Sequence, residues 1–339
     1  MDSDRISFWL AALIFLGLFG SINAQTDQQE FSKVSLKMGS RFEVIAVTPD
    51  STLAGIAISA AYQEIDRIEN LISSWKPHSQ TSLINANAGL TITRIDRELY
   101  DLIFRSLKVS ELTNGAFDIT FAGINDLWKF QRQRVDHLPD SSRIASAIKN
   151  IGYQKIQLNR DSLTVYLPET GMRIGFGSIG KGYAANRAMK VMKSTGIESG
   201  MVNAGGDLIT WGKNKHGTPW SIGIADPNKE DEILAWLSLQ DMALVTSGDY
   251  QKFFTYNGQR FGHIIDPRSG YPSTGIKSVS ILCADAELAD ALATAVYVLG
   301  SDNGMKLINQ LNHIEGLIVT ADDRLLQSKN LTLKYFASE

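Results

Sequence analysis

The chain has a single cysteine, Cys283, so no internal disulfide can brace it and packing alone must hold the fold. Histidine is scarce, with five residues in 339, and positive charge is not in excess: 33 Lys plus Arg against 36 Asp plus Glu leave a net charge of −3. That balance offers no electrostatic footprint for a polyanion, so nucleic acid is not an expected partner. No repeat, low-complexity tract or long linker occurs, and the absence of a G-x-S-x-G elbow sets aside a serine hydrolase of that type. Long apolar runs are missing too: Phe8–Phe19 spans 12 residues, short of the ~20 that a membrane-crossing helix needs.

What is present is a globular composition, 44 % hydrophobic and 20 % charged, which excludes disordered, collagen-like and coiled-coil chains. The length allows one large domain or two lobes sharing a site. Phe8–Phe19, followed by Gly20-Ser21 and Ile22-Asn23-Ala24, has the pattern of a secretory segment, although Asp2 and Asp4 outweigh Arg5 ahead of it. The expected organisation is therefore a signal peptide over residues 1–24 and an exported remainder over 25–339.

Local patterns give a coarse outline. Phe31 to Val47 is expected to form two strands around Met38-Gly39-Ser40. Ile58, Ala61, Ile65, Ile68 and Ile72 recur at steps of three and four and predict one face of a helix ended by Ser73-Ser74. A second helix is predicted from Asp96, its cap, to Leu112, with Asn114-Gly115 as its stop. Three β-like runs, Lys155–Leu158, Leu163–Leu167 and Met172–Ile174, predict a meander. Strands are expected at Ser221–Ile224, Leu244–Thr246, Ser278–Cys283 and Leu317–Thr320, and helices at Lys181–Ser194, Ala286–Leu299 and Met305–Leu311. Runs of strands joined by tight turns point to an α+β fold with mainly antiparallel sheets packed with helices.

Chemistry first shows at Gly175-Phe176-Gly177-Ser178-Ile179-Gly180-Lys181-Gly182, a glycine-rich loop opening a helix, where backbone N–H groups can cradle an anion. It satisfies G-x-G-x-x-G and most of a Walker A loop, but Gly182 replaces the hydroxyl that would hold Mg²⁺, and a dinucleotide fingerprint requires a βαβ unit. A glycine turn demanded by close packing is the competing explanation. Asn203-Ala204-Gly205-Gly206-Asp207 is either a second close-approach turn or a plain hairpin. His263 has the chemistry of a general base near neutral pH, or is a hydrogen-bonded structural residue beside Ile264 and Ile265. Asp290 and Thr294, at i and i+4 of a helix, suit a hard cation such as Mg²⁺, or are a helix-start acid and a buried hydroxyl.

Together with Met38-Gly39-Ser40-Arg41-Phe42, Ser74-Trp75-Lys76-Pro77, Gly115-Ala116-Phe117-Asp118-Ile119-Thr120, Thr246-Ser247-Gly248-Asp249-Tyr250, His263-Ile264-Ile265-Asp266-Pro267 and Ala289-Asp290-Ala291-Leu292-Ala293-Thr294, these blocks resemble the ApbE family, the FAD:protein FMN transferases. They arrive in that family's order and span about Met38 to Gly300. The resemblance implies an ApbE-like architecture related to the T-fold. It also implies the reaction: FAD and a Ser or Thr hydroxyl of a target flavoprotein give phosphoester-linked FMN and AMP.

Residue by residue, the resemblance assigns Met38 and Trp75 to the FAD site and Ala116, Phe117 and Asp118 to a flavin-contacting turn. Lys181 lies near the FAD, Ile265 makes a backbone contact to the nucleotide, and His263 is the catalytic base. Mg²⁺ is assigned to Ser178, Asp290 and Thr294. Trp75 and Phe117 are expected to pack against flat rings. Gly175 matches an FAD-site position where many members carry aspartate, so a polar contact or a supporting carboxylate is expected to be missing. Ala293, His78 and Gln80 also stand where acidic residues occur in relatives, which implies a weaker Mg²⁺ site. Hydrolysis of FAD to FMN and AMP, storage of FAD without turnover, and a nucleotide-dependent oxidoreductase are the alternatives. The N-terminal segment leads one to expect an exported chain, periplasmic or at the outer face of the inner membrane, either soluble or peripherally tethered.

Overall fold

The computed structural model describes residues 28–130, 133–229, 232–249 and 252–333. The expected signal segment and Tyr250 lie outside the described residues. Among them, no helix is long and apolar enough to cross a membrane.

The first half runs β1 (Gln29–Lys37), β2 (Ser40–Thr48), α1 (Ser51–Ile72), α2 (Gln80–Ala86), β3 (Thr93–Arg94), α3 (Arg97–Leu112), β4 (Gln133–Arg134), α4 (Ser141–Ala147), β5 (Gln157–Asn159), β6 (Thr164–Tyr166) and α5 (Gly180–Ser194). The second half runs β7 (Ser199–Ala204), β8 (Asp207–Trp211), β9 (Trp220–Ala225), β10 (Ile233–Leu239), β11 (Ala243–Gly248), β12 (Phe253–Tyr256), β13 (Gln259–Gly262), β14 (Ile276–Cys283), α6 (Ala286–Leu299), α7 (Ser301–Gln310), β15 (Glu315–Thr320) and β16 (Leu325–Gln327). An eight-stranded sheet ordered β1-β2-β7-β8-β11-β14-β15-β16 forms the spine, and its neighbours pair antiparallel. The fold is the α+β, mainly antiparallel architecture expected, with one parallel contact, β12 beside β4, in a smaller sheet.

Strand alternation explains the layers. In β2, Phe42, Val44 and Ala46 join one apolar cluster with α1 and α5, while Ile45 and Val47 face a second cluster with Trp220 and Ile222 of β9 and Leu237 of β10. In β14, Val279 and Ile281 pack toward Leu292 and Val296 of α6, and Leu282 packs toward the β9–β10 ribbon side. The central strands are thus covered on both faces, by helices on one and the ribbon on the other, which is why they read as apolar runs.

In α1 all five periodic residues are buried, and Asp50 caps the helix by accepting from the Thr52 and Leu53 N–H groups (2.8 and 3.0 Å). Ala54, Ala57 and Ala61 of α1 and Ala184, Ala185 and Ala188 of α5 are all fully buried in the shared core, small side chains that let these packed helices lie close. Three expectations are corrected. Asp96 stands at the N-cap of α3 but does not cap it; its carboxylate accepts from Gln80 Nε2 (2.5 Å), and its N–H donates to Gln80 Oε1 (2.8 Å). Met172–Ile174 is not a strand, because the Asn85 side chain takes both the N–H (2.8 Å) and the C=O (2.9 Å) of Ile174; β3 completes the β5–β6 sheet instead. The last helix also starts at Ser301, four residues before the predicted Met305.

Ile65→Ala should cost about 2–5 kcal/mol through lost burial and a residual cavity, whereas Ile56→Ala, at a residue 57 % exposed on the same helix, should stay within about 0.5 kcal/mol. Urea unfolding midpoints at unchanged slope check the pair.

Candidate active site

The glycine-rich loop follows an irregular segment rather than a strand, and the next strand, β7, pairs antiparallel with β2 and β8. No βαβ unit surrounds it, so the dinucleotide and Walker A matches lack the context their chemistry needs. Close packing explains two of its glycines. A Cβ on Gly182 would lie 2.0 Å from the Ala286 carbonyl oxygen, and one on Gly180 would lie 2.9 Å from Ile72 Cδ1. The absence of a side chain at Gly182 lets the start of α5 press against α6, where the Gly182 N–H donates to Asp290 Oδ2 (3.0 Å).

That contact brings the charged groups together. Lys181, beside Gly182, forms an ion pair with Asp207 at the start of β8, and the Asp207 and Asp290 carboxyls are close enough for each to act on the other's charge. Asp207 follows a turn in which Gly205 and Gly206 take left-handed backbone (φ 67° and 102°), so the turn is a hairpin that also delivers a buried acid. Both carboxylates are almost wholly buried, with Lys181 paired to Asp207 and its charge also felt by Asp290. Burial, then the Asp207 charge, pushes the Asp290 carboxyl up to about 8, against the pull of Lys181 and the Gly182 N–H. Asp207 is also raised by burial and lowered by Lys181.

Thr294, one turn beyond Asp290 on α6, has its hydroxyl 3.5 Å from that of Ser247 on β11. Ser178 sits in the turn Gly177–Ile179 that leads into α5. Among the described residues no group of three or more His, Cys, Asp or Glu side chains could hold a metal ion. The chemistry of the donor set nevertheless suits a hard divalent cation: two buried carboxylates short of positive charge, with Thr294 one helical turn from Asp290. Such an ion takes few protein ligands and completes its shell with water or phosphate oxygens.

His263 follows β13 directly, and its N–H donates to the Lys252 carbonyl (3.0 Å). It keeps an exposed edge, yet most of its surroundings are protein; desolvation, the Lys252 charge and the charge of Lys181 lower its imidazole to about 4. The ring is therefore neutral at pH 7 and able to accept a proton. Phe130 meets it edge-on (centroids 6.5 Å apart, planes at 72°) and itself stacks on Phe254 (5.6 Å). Ile265 is buried and bridges Pro272 by backbone pairing.

The residues expected around FAD divide into two kinds. Met38, in left-handed backbone (φ 50°) at the β1–β2 turn, reaches to 3.6 Å from where a Gly180 Cβ would stand. Trp75 is 65 % exposed on a loop held by Ser73 Oγ, which accepts from the Trp75 and Lys76 N–H groups (3.3 and 3.1 Å). The neighbouring Ser74 Oγ is 3.7 Å from where a Gly175 Cβ would stand, so the Trp75 loop and the glycine loop adjoin. A Cβ there would also sit 3.0 Å from Ala122 Cβ, a tight fit for the aspartate that the resemblance leads one to look for.

Ala116 and Phe117, by contrast, are core residues, each 1 % exposed. The expected stacking of a flat ring on Phe117 is corrected accordingly: its ring is part of the packing around α3 and α5. Asp118 is committed internally, accepting from Thr120 N–H (2.8 Å), Thr120 Oγ1 (2.6 Å) and Tyr153 N–H (2.8 Å). Its turn does border a depression lined by Asn114, Gly115, Tyr153, Pro267 and Arg268, which places it beside the segment that follows His263.

The sequence reading gave no role to Asp207, Ser247 or Asn186. A signal existed for Asp207, an acid between a Gly-Gly turn and the apolar run Leu208-Ile209, and Ser247 lies in the Thr246–Tyr250 block that carries the family likeness; nothing marked Asn186.

A model of the ApbE family matches residues 38–318. A FAD:protein FMN transferase of Treponema pallidum is 29 % identical over 92 % of this chain and 90 % of its own length. The crystal structure of the ApbE protein of Thermotoga maritima superposes with a TM-score of 0.82 at 30 % identity, covering 89 % of this chain and 97 % of that one. The apo flavinyl transferase ApbE of Pseudomonas stutzeri does so with a TM-score of 0.78 at 25 % identity, covering 89 % and 95 %.

Because folded Asp290 retains a proton that the unfolded chain releases near pH 4, its own contribution to cation-free stability should fall as the pH rises from about 4 to about 8, opposite in sign to that of His263, whose lowered imidazole favours the folded chain increasingly up to about pH 6.5. Asp290→Asn keeps an acceptor for the Gly182 N–H and removes this titration, so the stability difference between the original chain and the variant should shrink from about pH 4 to about pH 8 in favour of the variant. Thermal melts across this pH range check it.

Proposed function

Because the chain belongs to the ApbE family, we propose that it is a flavin transferase that moves FMN from FAD onto a Ser or Thr hydroxyl of a flavoprotein, releasing AMP. The observation that carries this reading is the pair of buried carboxylates, Asp207 and Asp290, set with Lys181 at the glycine-rich start of α5. A site with this charge pattern suits a diphosphate that arrives with a cation.

Asp290 and Thr294, with Ser178, would hold Mg²⁺, which when bound supplies the positive charge that polarises the phosphate oxygens. The chain's own groups do the rest. Lys181 adds a point charge near the diphosphate, and the first N–H groups of α5 favour negative charge there. His263, neutral at pH 7, takes the proton of the acceptor hydroxyl as its oxygen bonds to the FMN phosphorus. The bond between that phosphorus and the bridging oxygen breaks, and AMP leaves with the electron pair. Trp75, the exposed aromatic beside the glycine loop, offers an apolar platform for a planar ring. The run Phe8–Phe19 with Ile22-Asn23-Ala24 after it supports an exported location, periplasmic or at the outer face of the inner membrane.

Incubated with FAD, Mg²⁺ and an acceptor flavoprotein, the purified chain should yield AMP and flavin-labelled acceptor in equal amounts. AMP with free FMN would mean hydrolysis, and tightly held FAD without products would mean storage. His263→Ala should lower the transfer rate by about 10²–10⁴ while leaving FAD affinity nearly unchanged, as read by flavin fluorescence; equal losses in both would remove His263 from proton transfer.

A further inference from the structure

The two halves of the site ride on different helices. Lys181 and the Ser178 turn belong to the start of α5, and Asp290 and Thr294 belong to α6. Two sets of polar contacts join them. One is the Gly182 N–H to Asp290 Oδ2 bond, which uses a site carboxylate itself as the glue. The other lies one turn along: Asn186 Nδ2 donates to Asp285 Oδ1 (2.8 Å), and Asn186 Oδ1 accepts from the Ala286 N–H (3.1 Å). Asp285 Oδ1 also accepts from the Leu288 N–H (3.0 Å) and so caps α6. Asn186 is buried and shares the Gly182 face of α5, four residues on.

We propose that Asn186 is a positioning residue that clamps the first turn of α6 to α5 and thereby sets the spacing between Lys181 and Ser178 on one side and Asp290 and Thr294 on the other. The inference rests on the reading above, that these groups act together on Mg²⁺ and a diphosphate. Apolar packing also joins the two helices, but of the two polar ties the Gly182 bond is the one the site itself draws on: when Asp290 turns its charge to a cation, that bond is weakened. Asn186 holds residues 285 and 286 through groups that take no part in the site, and Ala286 is one helical turn from Asp290. Arg105 of α3 grips the same turn from another side, through Glu287 (2.7 and 3.0 Å), so with Asn186 in place α6 has little room to slide.

A reciprocal exchange tests this. Asn186→Asp sets two carboxylates at the 2.8 Å contact, and adding Asp285→Asn restores a donor and an acceptor with their direction reversed, keeping the acceptors for the Ala286 and Leu288 N–H groups. With Mg²⁺ alone titrated calorimetrically into the full chain, Asn186→Asp should weaken binding at least tenfold, and FAD turnover should fall at least tenfold. The double variant should return both to within threefold of the original chain. Asn186→Asp with unchanged Mg²⁺ affinity and only a lower Tm would overturn the proposal and leave Asn186 a structural residue. So would a double variant whose Tm recovers while its Mg²⁺ affinity does not. Mg²⁺ binding by the unaltered chain without FMN transfer would overturn the functional reading alone, and no Mg²⁺ binding would overturn both.

Discussion

Two carboxylates, Asp207 and Asp290, lie close together out of water with Lys181 paired to Asp207, and the rest of the site is arranged around that imbalance. Burying a charge without a partner costs several kcal/mol, and one lysine does not neutralise two acids. The fold resolves the surplus by letting Asp290 keep a proton near neutral pH. An added divalent charge would resolve it without the proton. The same imbalance explains why these acids come from rigid elements, the end of a β-turn and the middle of a helix, where neither can swing away to solvent.

Holding them together demands close backbone approach, and the glycines of the loop provide it. Gly182 lets α5 touch α6 at the Ala286 carbonyl, and Gly180 lets the same loop rest on Ile72 at the end of α1. A run of glycines that resembles a nucleotide-binding signature is thus, at these two positions, a packing device. The proposed phosphate chemistry would draw on what the packing gathers: Lys181, the helix start and the acids behind it. The fully buried alanines of α1 and α5 extend this close approach away from the site.

The proton acceptor in the proposed reaction is built differently. His263 stands after a short strand and is bounded by Phe130, with Phe254 stacked behind. Aromatic neighbours desolvate the imidazole, and the nearby lysines add to the effect, so the ring is uncharged where a base must be uncharged. The acids are kept from water by the sheet and helices, whereas the histidine keeps an edge open to it. That suits a group that must meet a hydroxyl arriving on another protein.

Elements defined by their own periodicity were legible in the sequence. The apolar stripe of α1, the turn at Met38-Gly39 and the i, i+4 placement of Asp290 and Thr294 follow from local geometry, since spacing along one element reports which face it buries. The family likeness, carried by blocks in order, extended this to the architecture. Tertiary structure alone decided which distant segments meet. It made Asp207 the neighbour of Asp290 and Asn186 the clamp on α6, and it buried Phe117 in the core. It also let a single side chain, Asn85, displace the strand expected at Met172–Ile174. None of these has a period to read, because each is a contact between residues separated by tens of positions, chosen by packing and by the cost of leaving a buried polar group without a partner.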